Sequence, residues 1–293
     1  MNIRDLEYLV AVHELKNFSK AATQCFVSQP TLSGQLKKLE QELGAPLMER
    51  STRKVLFTPL GEEVVAQARS ILQTAKHIKQ IADLSDDPMV GDFHIGLIPT
   101  VGPFLLPIIM PEISKIFPRA NLFLYELQTD VLIEKLLKGQ LDVAILAKLD
   151  WSYQLTEFPL YTEQLQLAYS NKQGLDIEDG HVPLNVLEGQ AVLMLEDGHC
   201  LREQAMGVCF SAGANEDKRF QATSLDTLLH MVAAGVGMTL IPEMACSRGV
   251  EGVLYSSFEE PIPSRDIVMI ARKNCARKVA FERLSELICS LIS

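Results

Sequence analysis

The sequence predicts an α/β protein with a small helical head, one long helix, and a larger body in which strands and helices alternate. Three patterns carry this expectation. Apolar residues recur at helical spacing from Ile3 as far as Gly44. A second run, Val64 to Ala82, repeats at alternating steps of four and three. From Gly91 onward, short apolar runs alternate with amphipathic stretches, which argues for an α/β fold with mostly parallel sheets. At 293 residues the chain is long enough for more than one core.

The head reads as three helices. Ile3, Leu6, Leu9 and Val10 predict the first. Asn17-Phe18-Ser19-Lys20-Ala21-Ala22 opens the second, with Asn17 or Ser19 as its N-cap. After a break at Cys25-Phe26-Val27, Ser28 caps a third, with Pro30 in the first turn, where its missing N–H costs nothing. Leu32, Leu36, Leu39 and Leu43 form its core stripe and Gly44 its C-cap. Thr31, Ser33, Gln35, Lys37 and Lys38 point elsewhere. Two helices, a tight turn and a polar-faced helix make a helix-turn-helix, with base-reading Gln and Ser/Thr and phosphate-holding Lys. The same stripes suit a generic three-helix packing unit, and periodicity does not choose between the two.

The long helix starts at Thr58-Pro59, an N-cap followed by proline at the first helical position. Val64, Ala68, Ile71, Ala75, Ile78 and Ala82 lie on one seam of about three heptads, thickened by Val65 and Leu72. Such an exposed helix needs a partner, and a second copy of itself is the simplest. The acidic, proline-containing stretch from Asp83 to Met89 reads as a hinge.

In the body, Phe93–Ile98, Ala120–Leu127 and Leu141–Ala147 read as strands, with helices near Phe104–Phe117 and Val131–Lys138 between them. Further strands are expected near Gln164–Tyr169, Ala191–Leu195, Phe220–Ala222, Gly237–Ile241 and Ile267–Arg272. Helices near Leu201–Phe210, Leu225–Ala234 and Lys278–Ile288 complete the set.

Composition narrows the function. No uncharged apolar run approaches the roughly 18 residues of a membrane-spanning helix. The opening Met1-Asn2-Ile3-Arg4-Asp5-Leu6-Glu7 does not read as a signal peptide. A cytoplasmic protein is expected, with its thiols normally reduced. Net charge is −10 overall, but residues 1–58 carry +2 and the remainder −12. An acidic body on a mildly basic head suits a protein whose head alone meets phosphate. The six cysteines, Cys25, Cys200, Cys209, Cys246, Cys275 and Cys289, show no zinc-ligand spacing. No metal and no cofactor are expected. Most of these thiols read as small buried hydrophobes.

The head carries a many-position pattern. Ala21-Ala22 is followed by Val27-Ser28-Gln29-Pro30-Thr31-Leu32-Ser33, then Leu39-Glu40, Leu43-Gly44, Leu47, Arg50 and Thr58-Pro59-Leu60-Gly61. In order and spacing it closely resembles the winged helix of LysR-type transcriptional regulators. The resemblance implies that Ser28, Gln29, Pro30, Thr31, Ser33 and Lys37 face DNA. The wing would be Arg50-Ser51-Thr52-Arg53-Lys54 turning into the strand Val55-Leu56-Phe57. Its cations Arg50, Arg53 and Lys54 would clamp the sugar-phosphate backbone. It further implies pairing of two chains through Val64, Ala68, Ile71, Ala75 and Ile78. The body would be a periplasmic-binding-protein-like effector domain of two α/β lobes. The expected domains are 1–58, a winged helix-turn-helix; 59–87, linker helix and hinge; and 88–293, the effector domain. Lobe I would take about 88–162 plus 268–293 and lobe II about 163–267. Thr100 and Thr129, just past the first two strands, become cleft candidates.

A closer resemblance singles out one branch of that family, the sensors of hydrogen peroxide. Its carriers are the segment from Glu196-Asp197-Gly198-His199-Cys200 to Cys209-Phe210, the run Ile95 to Pro103, and Ala222-Thr223-Ser224-Leu225 with Met231 to Gly235. By this resemblance Cys200 is the thiol that peroxide oxidises and Cys209 its disulfide partner. His199, Thr100, Thr129 and Arg265 would support the peroxide. A helix start at Cys200 would favour its thiolate. If both cysteines share one helix, their nine-residue separation spans about 13.5 Å of rise. A disulfide needs Cα atoms about 4.4–6.8 Å apart, so that helix must come apart for the bond to form. Promoter DNA, further copies of the chain itself in a dimer or a tetramer built as a dimer of dimers, RNA polymerase and cellular thiol reductants are the implied partners. A LysR-type regulator reading a small metabolite between the lobes is the alternative. An enzyme with a catalytic thiol is weaker, because it leaves the helix-turn-helix without a task.

Overall fold

The computed structural model describes residues 1–50, 55–83, 87–149, 155–173, 181–273, 275 and 277–292. Internal contacts divide the chain into two units, Met1–Asp86 and Asp87–Ser293.

The first unit runs α1 (Ile3–Leu15), α2 (Phe18–Gln24), α3 (Gln29–Leu43), β1 (Met48–Arg50), β2 (Val55–Phe57) and α4 (Pro59–Asp83). Each start is set by a side chain that satisfies an orphan N–H. Asn2 and Asp5 cap α1 reciprocally. Of the two candidates for α2, Asn17 is the cap, because its Oδ1 accepts the Lys20 N–H at 2.9 Å. Ser28 caps α3, which ends on Gly44 at φ +73°. Thr58 Oγ1 accepts the Gly61 N–H at 3.0 Å and starts α4. β1 and β2 pair antiparallel. Leu9, Val12, Leu32, Leu36, Leu39 and Leu47 fill the core together with Val65 and Ala68. Leu43, expected on the α3 stripe, is 41% exposed, since on this helix the apolar cluster ends at Leu39 and the last turn overhangs it.

The second unit continues with β3 (Gly91–Leu97), α5 (Gly102–Ile116), β4 (Ala120–Glu126), α6 (Thr129–Leu137), β5 (Val143–Ala147), β6 (Leu155–Ser170) and β7 (His181–Val182). Then come β8 (Ala191–Leu195), α7 (Cys200–Ser211), β9 (Asn215–Ala222), α8 (Leu225–Ala233), β10 (Thr239–Pro242), α9 (Glu243–Cys246), β11 (Val253–Phe258), β12 (Ser264–Arg272) and α10 (Lys278–Ile292). The main sheet has the order β4-β3-β5-β12-β6-β11-β7, with β10 also paired to β6, and β8 pairs β9 separately.

The expectation of mostly parallel sheets is corrected. β3 pairs β4 and β5 in parallel, but β12 and β6 run antiparallel to their neighbours, so the sheet is mixed. The chain crosses from one lobe to the other and back along these two strands, and the return must run in the opposite direction. The strand expected at Gln164–Tyr169 is the distal part of β6, sixteen residues long. Residues 155–164 of β6 pair β12, and residues 165–170 pair β10 and β11. Lobe I packs around Phe93, Leu97, Leu105, Val143 to Ala147, Met269 and Phe281. Lobe II has two clusters, one around Leu193, Leu228 and Ile241, the other around Val192, Met238, Leu240 and Phe258.

Candidate functional site

α7 carries both cysteines of interest. Cys200 is its first residue and Cys209 lies in its last turn, with both thiols free and buried. They belong to different cores. Cys200 joins the lobe I cluster that includes Ile98, Val101 and Leu132, whereas Cys209 joins the second lobe II cluster. Burial pushes the Cys209 thiol up to about 12, so in this helix it is held as a neutral thiol. His199 is the N-cap residue of α7, buried, without a side-chain capping bond. Its burial lowers its pKa below the usual 6.5, against an opposing pull from Glu196 at 3.9 Å.

The turn before α7 is fixed from two sides. Gly198 has φ +93°, a conformation that favours glycine, and a Cβ there would lie 2.8 Å from Gln128 Oε1 and push that amide aside. Gln128 Nε2 donates to Glu196 Oε1 at 3.0 Å. Gln128 immediately precedes α6, so this contact ties the start of α6, and Thr129 with it, to the loop leading into Cys200. Thr129 Oγ1 is buried and has no hydrogen-bond partner among the described residues. Arg202 holds the first turn of α7. Its Nη1 donates to the Leu195 carbonyl at 3.0 Å and meets Glu216 at 2.8 Å, and its Nε meets Asp197 at 2.9 Å.

Thr100 and Arg265 are in direct contact. Arg265 was expected just before a strand; it lies inside β12, which starts at Ser264 because its pairing with β6 continues there. Arg265 Nη1 donates to Thr100 Oγ1 and Nη2 to the Thr100 carbonyl, both at 3.0 Å. Its charge is matched by Glu163, whose Oε2 accepts from Nε at 3.0 Å and from Nη2 at 2.8 Å. Glu163 and Arg265 are register partners on β6 and β12, and both side chains are buried. Glu163 Oε1 accepts the Met244 N–H at 3.2 Å, which brings in α9. Because the Thr100 hydroxyl accepts from arginine, its own proton is left to donate elsewhere. The sequence patterns did not single out Glu163, Gln128 or Glu216, nor Arg202 within its segment. Gln128 and Glu163 meet partners 68 and 102 positions away, and Glu216 meets Arg202 from outside that segment.

In the head, Ser28, Gln29, Pro30, Thr31 and Lys37 are exposed and Ser33 is half-buried. Ser28 and Thr31 bond to each other through their hydroxyls at 2.7 Å, as part of the α3 cap. Arg53 and Lys54 lie outside the described residues, as does the side chain of Arg50. On α4, Ala68 is buried within its own unit's core, Val64 and Ala75 are half-buried, and Ile71 and Ile78 are 43% and 65% exposed. Among the described residues no helix is long and apolar enough to cross a membrane.

A helix-turn-helix head and a two-lobed α/β body define a class, the one-component DNA-binding regulator. The profile of the bacterial regulatory helix-turn-helix protein, lysR family, matches residues 3–62, and that of the LysR substrate binding domain matches residues 86–290. The chain belongs to the LysR family of transcriptional regulators. Within it, the chain is 50% identical over 291 residues to the DNA-binding transcriptional dual regulator OxyR of Escherichia coli K12, covering 98% of this chain and 95% of that protein. A full-length OxyR variant from Pseudomonas aeruginosa superimposes with TM-score 0.80 at 31% identity, over 98% of this chain and 94% of that one. The oxidised form of OxyR matches with TM-score 0.64 at 44% identity, and the reduced form with 0.64 at 41%. They cover 70% and 71% of this chain and 98% of their own.

Proposed function

We propose that this chain is a peroxide-responsive transcriptional regulator whose switch is α7. The carrying observation is that Cys200 and Cys209 occupy the two ends of one helix, reduced and seated in different cores. The thiolate of Cys200 attacks one peroxide oxygen. An S–O bond forms, the O–O bond breaks, and hydroxide leaves and is protonated to water. Thr100, with its proton free to donate, and the unpartnered Thr129 hydroxyl hold the peroxide. Arg265 fixes Thr100, and His199, neutral by burial, adds a further hydrogen-bonding group. Cys209 then attacks the Cys200 sulfur, the S–S bond forms, and the S–O oxygen leaves with the Cys209 proton as a second water. Two thiols are oxidised and one peroxide is reduced. A cellular thiol reductant resets the pair.

Closing the bond removes the helix between the cysteines. That remodels lobe II, where α7 packs, and so alters how effector domains meet. The heads, spaced on promoter DNA by α4 pairing through Ile71 and Ile78, are thereby repositioned, in a dimer or tetramer acting in the cytoplasm with RNA polymerase. α3 reads bases through Gln29 and Ser33, with Arg53 and Lys54 on the wing holding phosphate. A metabolite-reading alternative is favoured by a cleft of about 630 Å³ lined by Phe104, Glu126, Asp226, Leu229, Arg248 and Val250. It leaves the two-core placement of the cysteines without a use. Thiol mapping by mass spectrometry after a near-stoichiometric peroxide pulse separates the readings. A Cys200–Cys209 disulfide is expected, with Cys25, Cys246, Cys275 and Cys289 still reduced. Another pairing, or an unmodified Cys200, returns the chain to the metabolite readers.

A further inference from the structure

α7 contains a glycine that the reduced fold does not need. Gly207 lies in the helix interior on its exposed side, and a Cβ built there meets nothing within 4 Å. Its φ is not in the left-handed region. The other glycines inside helices have steric or docking reasons. In α4, a Cβ at Gly61 would sit 1.9 Å from the Leu47 carbonyl oxygen, and at Gly102 in α5 it would crowd Glu126 at 3.2 Å. Gly34 has open space as well, but it lies on the exposed side of α3, where a duplex would approach. Gly207 has neither a neighbour nor a duplex to accommodate. An interior glycine weakens a helix by about 0.5–1 kcal/mol relative to alanine.

The position is informative. Arg202 clamps the first turn of α7 to Leu195, Asp197 and Glu216, so that end stays docked. Beyond Cys209 the helix ends at Ser211, with Ala212 as its C-cap and then Gly213 at φ +79°. The stretch that must move Cys209 out of its core is therefore bracketed by Gly207 on one side and Gly213 on the other. Between the Arg202 clamp and Cys209, Gly207 is the one glycine.

We propose that Gly207 is the built-in break point of α7, a residue that sets how fast the disulfide closes after Cys200 has been oxidised. It weakens the helix at the place where it has to open, and in the opened chain it tolerates the turn that brings the sulfurs together. The inference rests on the disulfide reading above and concerns only its second step, in which the S–S bond forms and water leaves. The neutral, buried thiol of Cys209 fits this order, since it becomes a competent nucleophile only once the helix has released it.

The test uses the full-length reduced protein and its Gly207→Ala and Gly207→Ser variants, each given one equivalent of hydrogen peroxide. Quenched samples are assayed for the Cys200 thiol, for sulfenic acid with a dimedone-type probe, and for the disulfide. Loss of the Cys200 thiol should be equally fast in all three. Disulfide closure should slow in the order of helix propensity, glycine fastest, serine between, and alanine slowest by about two- to five-fold. The equilibrium against a thiol–disulfide buffer should shift toward the reduced protein by a similar factor, and the sulfenic acid should persist longer. Equal closure rates in all three, with normal oxidation of Cys200, overturn the role of Gly207 and leave the disulfide reading standing. Failure of the unsubstituted chain to form the Cys200–Cys209 bond overturns that reading, and the break point with it.

Discussion

Thr100 shows how a neighbour sets what a side chain can do. A threonine hydroxyl donates once and accepts twice, and Arg265 occupies one accepting site at 3.0 Å. The arginine is held in turn by Glu163, fully inside the protein. Neutralising that carboxylate with Glu163→Gln should lower unfolding free energy by about 3–5 kcal/mol, because it strands a buried cation. Denaturant titration checks this, and a loss below 1 kcal/mol would mean that Arg265 finds another partner. His199 gives a prediction with a definite sign. Burial lowers its folded pKa below the ordinary 6.5 of the unfolded chain. Between those values the unfolded chain binds the proton and the folded chain does not. The stability contribution is thus present above about 6.5 and lost as pH falls below it. Thermal melts between pH 7.5 and 5.5 should show a smaller acid-induced drop for His199→Gln than for the unsubstituted chain. Superimposable pH profiles would count against this placement of the imidazole.

Single elements divide into those whose work is local and those that need a second molecule. α3 is built by local rules: a serine cap, an early proline, a leucine stripe and a terminal glycine. Its exposed Lys37 should act as a phosphate contact. Lys37→Ala should weaken binding to every DNA sequence and reduce the salt slope by about 0.9, as fluorescence anisotropy across a salt series would show. An unchanged slope would take Lys37 off the DNA face. α4 spends Val65 and Ala68 on its own unit's core and leaves Ile71 and Ile78 outward. Ile71→Glu should place a carboxylate against its symmetry mate and weaken self-association. Analytical ultracentrifugation of the full chain would detect this as a shift toward monomer, and an undisturbed assembly would move the interface elsewhere. α7 differs from both, because its two ends answer to different cores.

At the scale of the whole molecule, the second unit is stitched together by β6 and β12, which carry the chain between lobes. Their pairing does not involve α7. Oxidation should therefore strip amide-exchange protection from α7 while β3, β5, β12 and the first half of β6 keep theirs. Loss of protection throughout the main sheet would indicate global rather than local remodelling.

The order and type of most elements were legible in the sequence, since periodicity, caps and glycine stops are written within a few residues of one another. The cysteine pair was legible only through its flanking segment, because two thiols nine positions apart carry no chemistry by themselves. Other features were decided by tertiary structure. The direction of β6 and β12 depends on which strands they meet. The exposure of Leu43 depends on where the core stops. The withdrawal of Ala68 from the α4 seam depends on the packing of α1 against it. The Glu163–Arg265–Thr100 chain joins residues more than a hundred positions apart that become neighbours only when two antiparallel strands fall into register. By itself the sequence determined what each segment prefers to be, because propensity and capping act locally. Only the folded chain decided which segments meet and which buried charges and hydroxyls are left a partner, because burial and electrostatics act across space, whatever the distance along the chain.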